Sequence, residues 1–250
     1  MNLENKVAIV TGGTRDIGKA VSLKLASLGA KVAVNYHSNK AAGEETLAEI
    51  EKAGGTGILV GGDMTKVDDA NRLAAETVAA FGDQMHIVVN NVGGMVARKP
   101  LAEMDDEFFD YVMRLNVTST FLVMKAAVPH MTGGGAVVNL ASQAGRDGGG
   151  PGASAYSASK GAVMSFTRGM AKELGPSGIR VNCICPGMIA TTFHDQFTKD
   201  AVRANVAAAT PLKREGQATE IADLVAYLAS EESSFINGAS IDINGGLAFS

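Results

Sequence analysis

Cysteine is scarce in this chain: Cys183 and Cys185 are the only two. They stand two apart in an apolar run that reads as a strand, so both face the same way and no disulfide between them is expected. His37, His86, His130 and His194 are scattered without ligand spacing, and no third cysteine exists, so no structural metal is expected. A strong charge of one sign is also missing. The net charge is −4, charged residues make up 19%, and no basic stripe interleaves with aromatics. That argues against a nucleic-acid partner, which needs a basic face to neutralise phosphates. No window approaches the ~18 uninterrupted apolar residues of a membrane span, and the start, Met1 to Lys6, lacks a signal-like apolar stretch. These absences point to a reducing, cytoplasmic setting. Pro- or Ser-rich linkers and internal repeats are lacking too, so one domain over 1–250 is expected.

What is present is alternation. Short apolar runs at 7–10, 32–34, 58–60, 87–89, 136–140, 181–184 and 241–243 are separated by longer helical patterns. Most runs are apolar at consecutive positions, the mark of parallel strands covered on both faces. Ile17, Val21, Leu25 and Leu28 recur at helical spacing, with Gly29 as the C-terminal cap, and Ile221, Leu224, Val225 and Leu228 repeat the pattern. Strand–helix alternation means βαβ units with right-handed crossovers. The expected fold is α/β: a single Rossmann-type, doubly wound parallel sheet of about seven strands flanked by helices.

After the first strand comes Thr11-Gly12-Gly13-Thr14-Arg15-Asp16-Ile17-Gly18. A glycine-rich turn ahead of a helix lets backbone approach a pyrophosphate, and the helix N-terminus supplies free N–H groups. This segment resembles the T-G-x-x-x-G-x-G fingerprint of the short-chain dehydrogenase/reductase family. Gly12, Thr14, Arg15, Asp16, Ile17 and Gly18 are the implied cofactor contacts. Asp16 departs from the pattern, standing where the family has its middle glycine. It has two readings: an N-cap for a helix starting at Ile17, or a carboxylate near the cofactor phosphates that weakens binding unless Arg15 or solvent offsets it.

The second strand ends in Asn35-Tyr36-His37-Ser38. An NAD-selective site would place an acid here for the ribose 2′-hydroxyl. None is present, and Ser38, Lys40 or Arg15 could reach a 2′-phosphate, so NADP(H) is favoured over NAD(H). Tyr36, His37 and Ser38 are candidate contacts. Asp63-Met64 follows the third strand, where the family holds adenine. Asn90-Asn91-Val92-Gly93 follows the fourth and resembles the family's N-N-A-G, with Asn90, Val92 and Gly93 as contacts.

Tyr156-Ser157-Ala158-Ser159-Lys160 puts Tyr156 and Lys160 on one helix face. A phenol titrates at about 10, too high for a good base at neutral pH, and a nearby ammonium or bound oxidised nicotinamide lowers that value. Ser142 closes the fifth strand, and Asn116 lies in the helix after the fourth. Asn116, Ser142, Tyr156 and Lys160 match the family's set in order. The resemblance implies that Tyr156 is the acid/base and that Lys160 lowers its pKa and binds the nicotinamide ribose. It also implies that Ser142 holds the substrate oxygen and that Asn116 positions a relay water. Pro186-Gly187-Met188-Ile189-Ala190-Thr191 looks like the family's P-G segment, with Pro186, Gly187, Ile189 and Thr191 at the nicotinamide amide and Thr192 as the next candidate. From 188 to about 212 the pattern becomes irregular, where the family has a mobile lid or, equally, residues simply pack a helix edge.

The resemblance covers nearly the whole chain and implies an enzyme moving a hydride between NADP(H) and a carbonyl or alcohol of a small substrate. A 3-oxoacyl-carrier-protein reductase is an alternative. It would want a basic entrance for its acidic partner, and Arg168 and Lys172 supply only part of one. A nucleotide-sensing protein with little turnover is another, given room by Asp16. The resemblance further implies a homo-oligomer, most often a tetramer, and the Ala-rich helix over 153–174 could pack closely against a partner.

Overall fold

The computed structural model describes residues 1–249. Seven strands form one wholly parallel sheet in the order β3-β2-β1-β4-β5-β6-β7: β1 (Val7–Val10), β2 (Lys31–Tyr36), β3 (Thr56–Gly61), β4 (Ile87–Asn90), β5 (Gly135–Leu140), β6 (Ile179–Pro186) and β7 (Ser240–Ile243). The chain is a single-domain Rossmann-like α/β protein, as the sequence pattern implies.

The helices are α1 (Asp16–Ser27), α2 (Lys40–Lys52), α3 (Val67–Phe81), α4 (Asp106–Met113), α5 (Ser119–Ala127), α6 (Ala144–Asp147), α7 (Ser154–Leu174), α8 (Thr192–Phe197), α9 (Asp200–Ala209) and α10 (Ala218–Ala229). A π-helical turn, Arg114–Thr118, joins α4 to α5.

The consecutive apolar runs have a plain cause. In β1, Ala8 and Val10 enter one core with Val21 and Leu25 of α1 and Ile221, Val225 and Leu228 of α10. Val7 and Ile9 enter the other, with Leu73 of α3, Leu122 of α5 and Ala171 of α7. Each face of the sheet is roofed, so both sets of alternate residues in β1 are apolar. Burying each such Val, Leu or Ile contributes roughly 1.5–3 kcal/mol. Gly29 follows α1 at φ 95°, the left-handed exit expected of a C-terminal glycine.

Two local readings of the sequence are corrected. Asp16 is not the N-cap of a helix beginning at Ile17. The helix begins at Asp16 itself, Arg15 holds the capping position without a side-chain cap, and Asp16 adopts φ 49°. Its carboxylate is engaged elsewhere, as shown below. The segment 188–212 is not irregular throughout: it carries α8 and α9. The sequence pattern hides them because α8 is six residues long and neither helix has a buried stripe. No helix among the described residues is long and apolar enough to cross a membrane.

Candidate active site

Strand order reverses at β1, which lies between β2 and β4, and the carboxyl ends of β5 and β6 follow that of β4 along the same edge of the parallel sheet. Open α/β sheets leave a crevice at such a point. The glycine-rich loop leaves β1 and is braced from beneath. Thr11 Oγ1 donates to Val89 O and accepts from the N–H groups of Asn91 and Val92 at 3.0 and 3.1 Å. Asn91 Nδ2 donates to the carbonyls of Thr11 and Gly12, both at 3.1 Å. Buried Asn35 accepts from Gly12 N–H at 3.2 Å and donates to Val60 O and Gly62 O.

Thr11, Asn35 and Asn91 were not among the residues the sequence singled out. A polar residue inside or ending an apolar strand was the available signal. Gly18 is obligatory for packing: a Cβ there would lie 2.0 Å from Gly12 O. Thr14 and Ile17 sit on the same turn, Thr14 buried and its carbonyl accepting from Thr46. Arg15 is exposed and makes no ion pair among the described residues.

At the end of β2, the Tyr36 ring lies against Gly61, where a Cβ would stand 2.9 Å from the phenol oxygen. His37 and Ser38 follow in the exposed loop. Asp63 Oδ1 accepts from Thr65 N–H at 2.9 Å. Burial pushes the Asp63 carboxyl up, but the Thr65 hydrogen bonds and nearby His37 and Lys66 outweigh it, and the net shift is down. Met64 and Ile189 turn their side chains into the core, leaving only backbone for any ligand. Gly187 bonds Ile243 O through its N–H, and Pro186 O accepts from Gln143 N–H at 2.9 Å. Thr191 precedes α8, its hydroxyl donating to Ile189 O.

The four residues singled out for chemistry fall around one spot. Lys160, 4% exposed, donates through Nζ to Leu140 O at 2.6 Å, and its Nζ lies 5.7 Å from the Tyr156 ring centre. Burial pulls the Lys160 ammonium down to about 8. Burial also pushes the Tyr156 phenol above its ordinary value, against the opposing pull of the Ser142 hydroxyl. Ser142 Oγ accepts from the N–H of Ala144, the first residue of α6, at 3.1 Å.

Asn116 sits in the π-helical turn, an expanded turn that often marks functional sites. Its Oδ1 accepts from Gly94 N–H at 3.0 Å and its Nδ2 donates to Gly94 O and Val112 O, both at 2.9 Å. A Cβ on Gly93 would lie 2.5 Å from Asn116 Oδ1 and 2.9 Å from Lys160 Nζ, so only glycine fits between them. Asn90 donates to Asn139 Oδ1 at 2.8 Å while its own Oδ1 is buried without a partner. An apolar wall of Met95, Met104, Phe108, Phe193 and Phe197 packs with Tyr156, and the Phe193 ring stands 5.8 Å from that of Tyr156. His194 is half-buried, its Nδ1 3.0 Å from Thr198 Oγ1.

A crevice at the strand-order reversal, a glycine cradle that no Cβ could enter and a Tyr–Lys pair on one helix define a class. Comparison with known proteins agrees: the family model described as enoyl-(acyl carrier protein) reductase matches residues 12–248. The chain belongs to the short-chain dehydrogenase/reductase family, whose members are oxidoreductases using nicotinamide cofactors.

A short chain dehydrogenase/reductase of Aspergillus aculeatus is 38% identical, the match covering 98% of this chain and 97% of that protein. A probable tetrahydroxynaphthalene reductase of Zymoseptoria tritici is 37% identical, over 97% and 94%. Among solved structures, a short-chain dehydrogenase/reductase from Serratia marcescens matches with TM-score 0.94 and 32% identity over the full length of both chains. A dehydrogenase/reductase from Sinorhizobium meliloti matches with TM-score 0.93 and 35% identity over 99% and 97%.

Proposed function

We propose that this protein is an NADP(H)-dependent oxidoreductase that moves a hydride between the nicotinamide and a carbonyl or alcohol carbon of a small apolar, ring-bearing substrate. The observation that carries the reading is the convergence of Tyr156, Lys160, Asn116 and Ser142 beside an apolar wall. The dinucleotide fits the residues present: Gly12 and Gly93 keep their backbone accessible at the crevice, and Asn90 Oδ1 is a buried acceptor still unpaired. When bound, it supplies or accepts the hydride.

In reduction, Tyr156 O–H donates its proton to the substrate oxygen. A phenol raised by burial stays protonated at neutral pH, which suits the acid role. In oxidation the phenolate is needed, and the Lys160 ammonium favours it. Ser142 Oγ–H donates to the substrate oxygen and stabilises negative charge developing there. Asn116 Oδ1, which accepts from Gly94 N–H, keeps a second lone pair with which to hold a relay water beside Lys160.

The preference for NADP(H) rests on the absence of an acid at Tyr36, His37 and Ser38 and on the unpaired Arg15 guanidinium beside the loop. Phe193 and Phe197 support a ring-bearing substrate, as does the likeness to a protein named tetrahydroxynaphthalene reductase. The segment 188–212 acts as the substrate lid. Exposed Tyr111 and Phe121 on α4 and α5 support a homo-oligomer. Two buried free thiols suit a reducing cytoplasm.

The test is titration with NADPH and NADH by nicotinamide fluorescence, then turnover on a panel of aldehydes and aryl ketones, repeated with Tyr156→Phe. The variant should bind NADPH like the parent and lose turnover. Retention of more than a few per cent of kcat, or a parent that binds neither cofactor, sinks the reading.

A further inference from the structure

The segment that covers the site is pinned from several sides. Ala190 N–H bonds Gly216 O, and Ile189 pairs with Gly216 as an isolated parallel bridge. Arg98 donates from Nε to Phe197 O at 3.1 Å and from one terminal nitrogen to Pro151 O at 3.0 Å. Arg203 grips both oxygens of Glu215 at 2.7 Å and also pairs with Asp195. Phe193 rests on Tyr156.

One further contact ties the segment to the glycine-rich loop. Asp16 Oδ1 accepts from Thr192 N–H at 3.1 Å, and Asp16 Oδ2 accepts from Thr192 Oγ1 at 2.5 Å. The two residues are 176 positions apart, and they join the first turn of α1 to the first residue of α8. Asp16 gives up two things to make this contact. Its backbone takes φ 49°, a region in which side chains other than glycine, asparagine and aspartate are rare. Its carboxylate leaves the N–H groups of its own helix without a side-chain cap. A glycine at this position would suit the backbone and could make neither bond.

We propose that Asp16 is a positioning residue: it latches α8 onto the glycine-rich loop and gates entry to the nucleotide crevice. The latch is a property of the chain alone. Its gating role rests on the reading that a dinucleotide occupies this crevice. A ligand diphosphate at the loop would come close to the Asp16 carboxylate, and like-charge repulsion there opposes the latched arrangement. Entry therefore goes through release of Thr192, and α8 moves as the latch opens.

Hydrogen exchange of the ligand-free protein tests the latch. Asp16→Gly should speed exchange of the 192–198 amides by about five- to tenfold, the scale of a charged hydrogen bond discounted for exposure, and leave β1 and α10 unchanged. Glycine accepts φ 49°, so the fold survives the substitution. Thr192→Val, which keeps the N–H and loses the hydroxyl, should show a smaller acceleration. The double variant should exchange no faster than Asp16→Gly alone, because both changes break one contact.

Unchanged exchange in Asp16→Gly, or additive effects in the double variant, overturns the latch. Gating is read separately by stopped-flow fluorescence with NADPH, where Asp16→Gly should associate several-fold faster. Faster exchange without faster association would leave a structural clasp and overturn the gate. A parent protein that binds no NADPH would remove the gate along with the proposed function, while the exchange data would still decide the latch.

Discussion

The floor of the site and its rim are built on different principles. The floor is Lys160, Asn116, Gly93 and the ends of β4 and β5. Its side chains are almost wholly buried, and their hydrogen bonds go to main chain such as Leu140 O and Gly94 O. The rim is α8 and its ties: Asp16–Thr192, Arg98–Phe197 and Arg203–Asp195, made at the solvent-facing surface by side chains that are exposed or partly so. Buried bonds are costly to leave unmade, so the floor has one arrangement. Exposed contacts of this kind open at small cost, so the rim can move while the floor stays fixed. On the proposed function, chemistry belongs on the first and access on the second.

The largest effect that would test this contrast lies at Lys160. Burial holds its ammonium at about 8, below the ordinary 10.5. The folded state therefore loses its proton first, and between about 8 and 10.5 the unfolded chain binds more protons. Stability gains with rising pH across that window and is penalised below it. Lys160→Met should remove the penalty while orphaning Leu140 O, a net gain near neutral pH of about 1–2 kcal/mol, or a few degrees in Tm. The rise in stability between pH 8 and 10.5 should flatten in the variant, and kcat should fall by about two orders of magnitude or more. A variant that is both inactive and destabilised by several kcal/mol would show that the floor depends on the charge for its architecture.

Next comes Arg15, on the rim but on the nucleotide side. Arg15→Ala should lower the preference for NADPH over NADH by about tenfold in Kd, the scale of one charge-assisted phosphate contact. Binding of NADH should be unchanged. Equal losses for both cofactors would assign Arg15 to the shared diphosphate and leave the 2′-phosphate to the Tyr36–Ser38 turn.

The same contrast explains what could be read from the sequence. The strands were legible because both faces of the sheet are roofed, which forces consecutive apolar residues such as Val7 to Val10. The candidate floor residues came from the match of Asn116, Ser142, Tyr156 and Lys160, in order, to the set of the family the chain resembles; helix periodicity adds only that Tyr156 and Lys160 share a face. The braces beneath the loop were harder. Asn35 and Asn91 act through bonds to residues 23 to 80 positions away, and no local pattern records such a bond. The rim was hardest. Asp16 looked like a cap because aspartate before an apolar helix usually is one. Its partner lies 176 residues downstream in a helix too short to show periodicity.

The smallest expected effect is at Phe193, where rim meets floor. Its ring leans on Tyr156 at 5.8 Å and packs with Phe197, 5.1 Å away. If the rim governs access and fit alone, Phe193→Ala should raise KM for an aryl ketone by roughly three- to tenfold, the worth of an aromatic contact. Aryl kcat should stay within about a factor of two, and a small aliphatic ketone should be indifferent to the change. Steady-state kinetics on the two ketones decides the matter. A fall in kcat at constant KM would mean that Phe193 helps hold the Tyr156 phenol in place, so that part of the rim belongs to the chemistry and the division drawn here lies one residue too far inward.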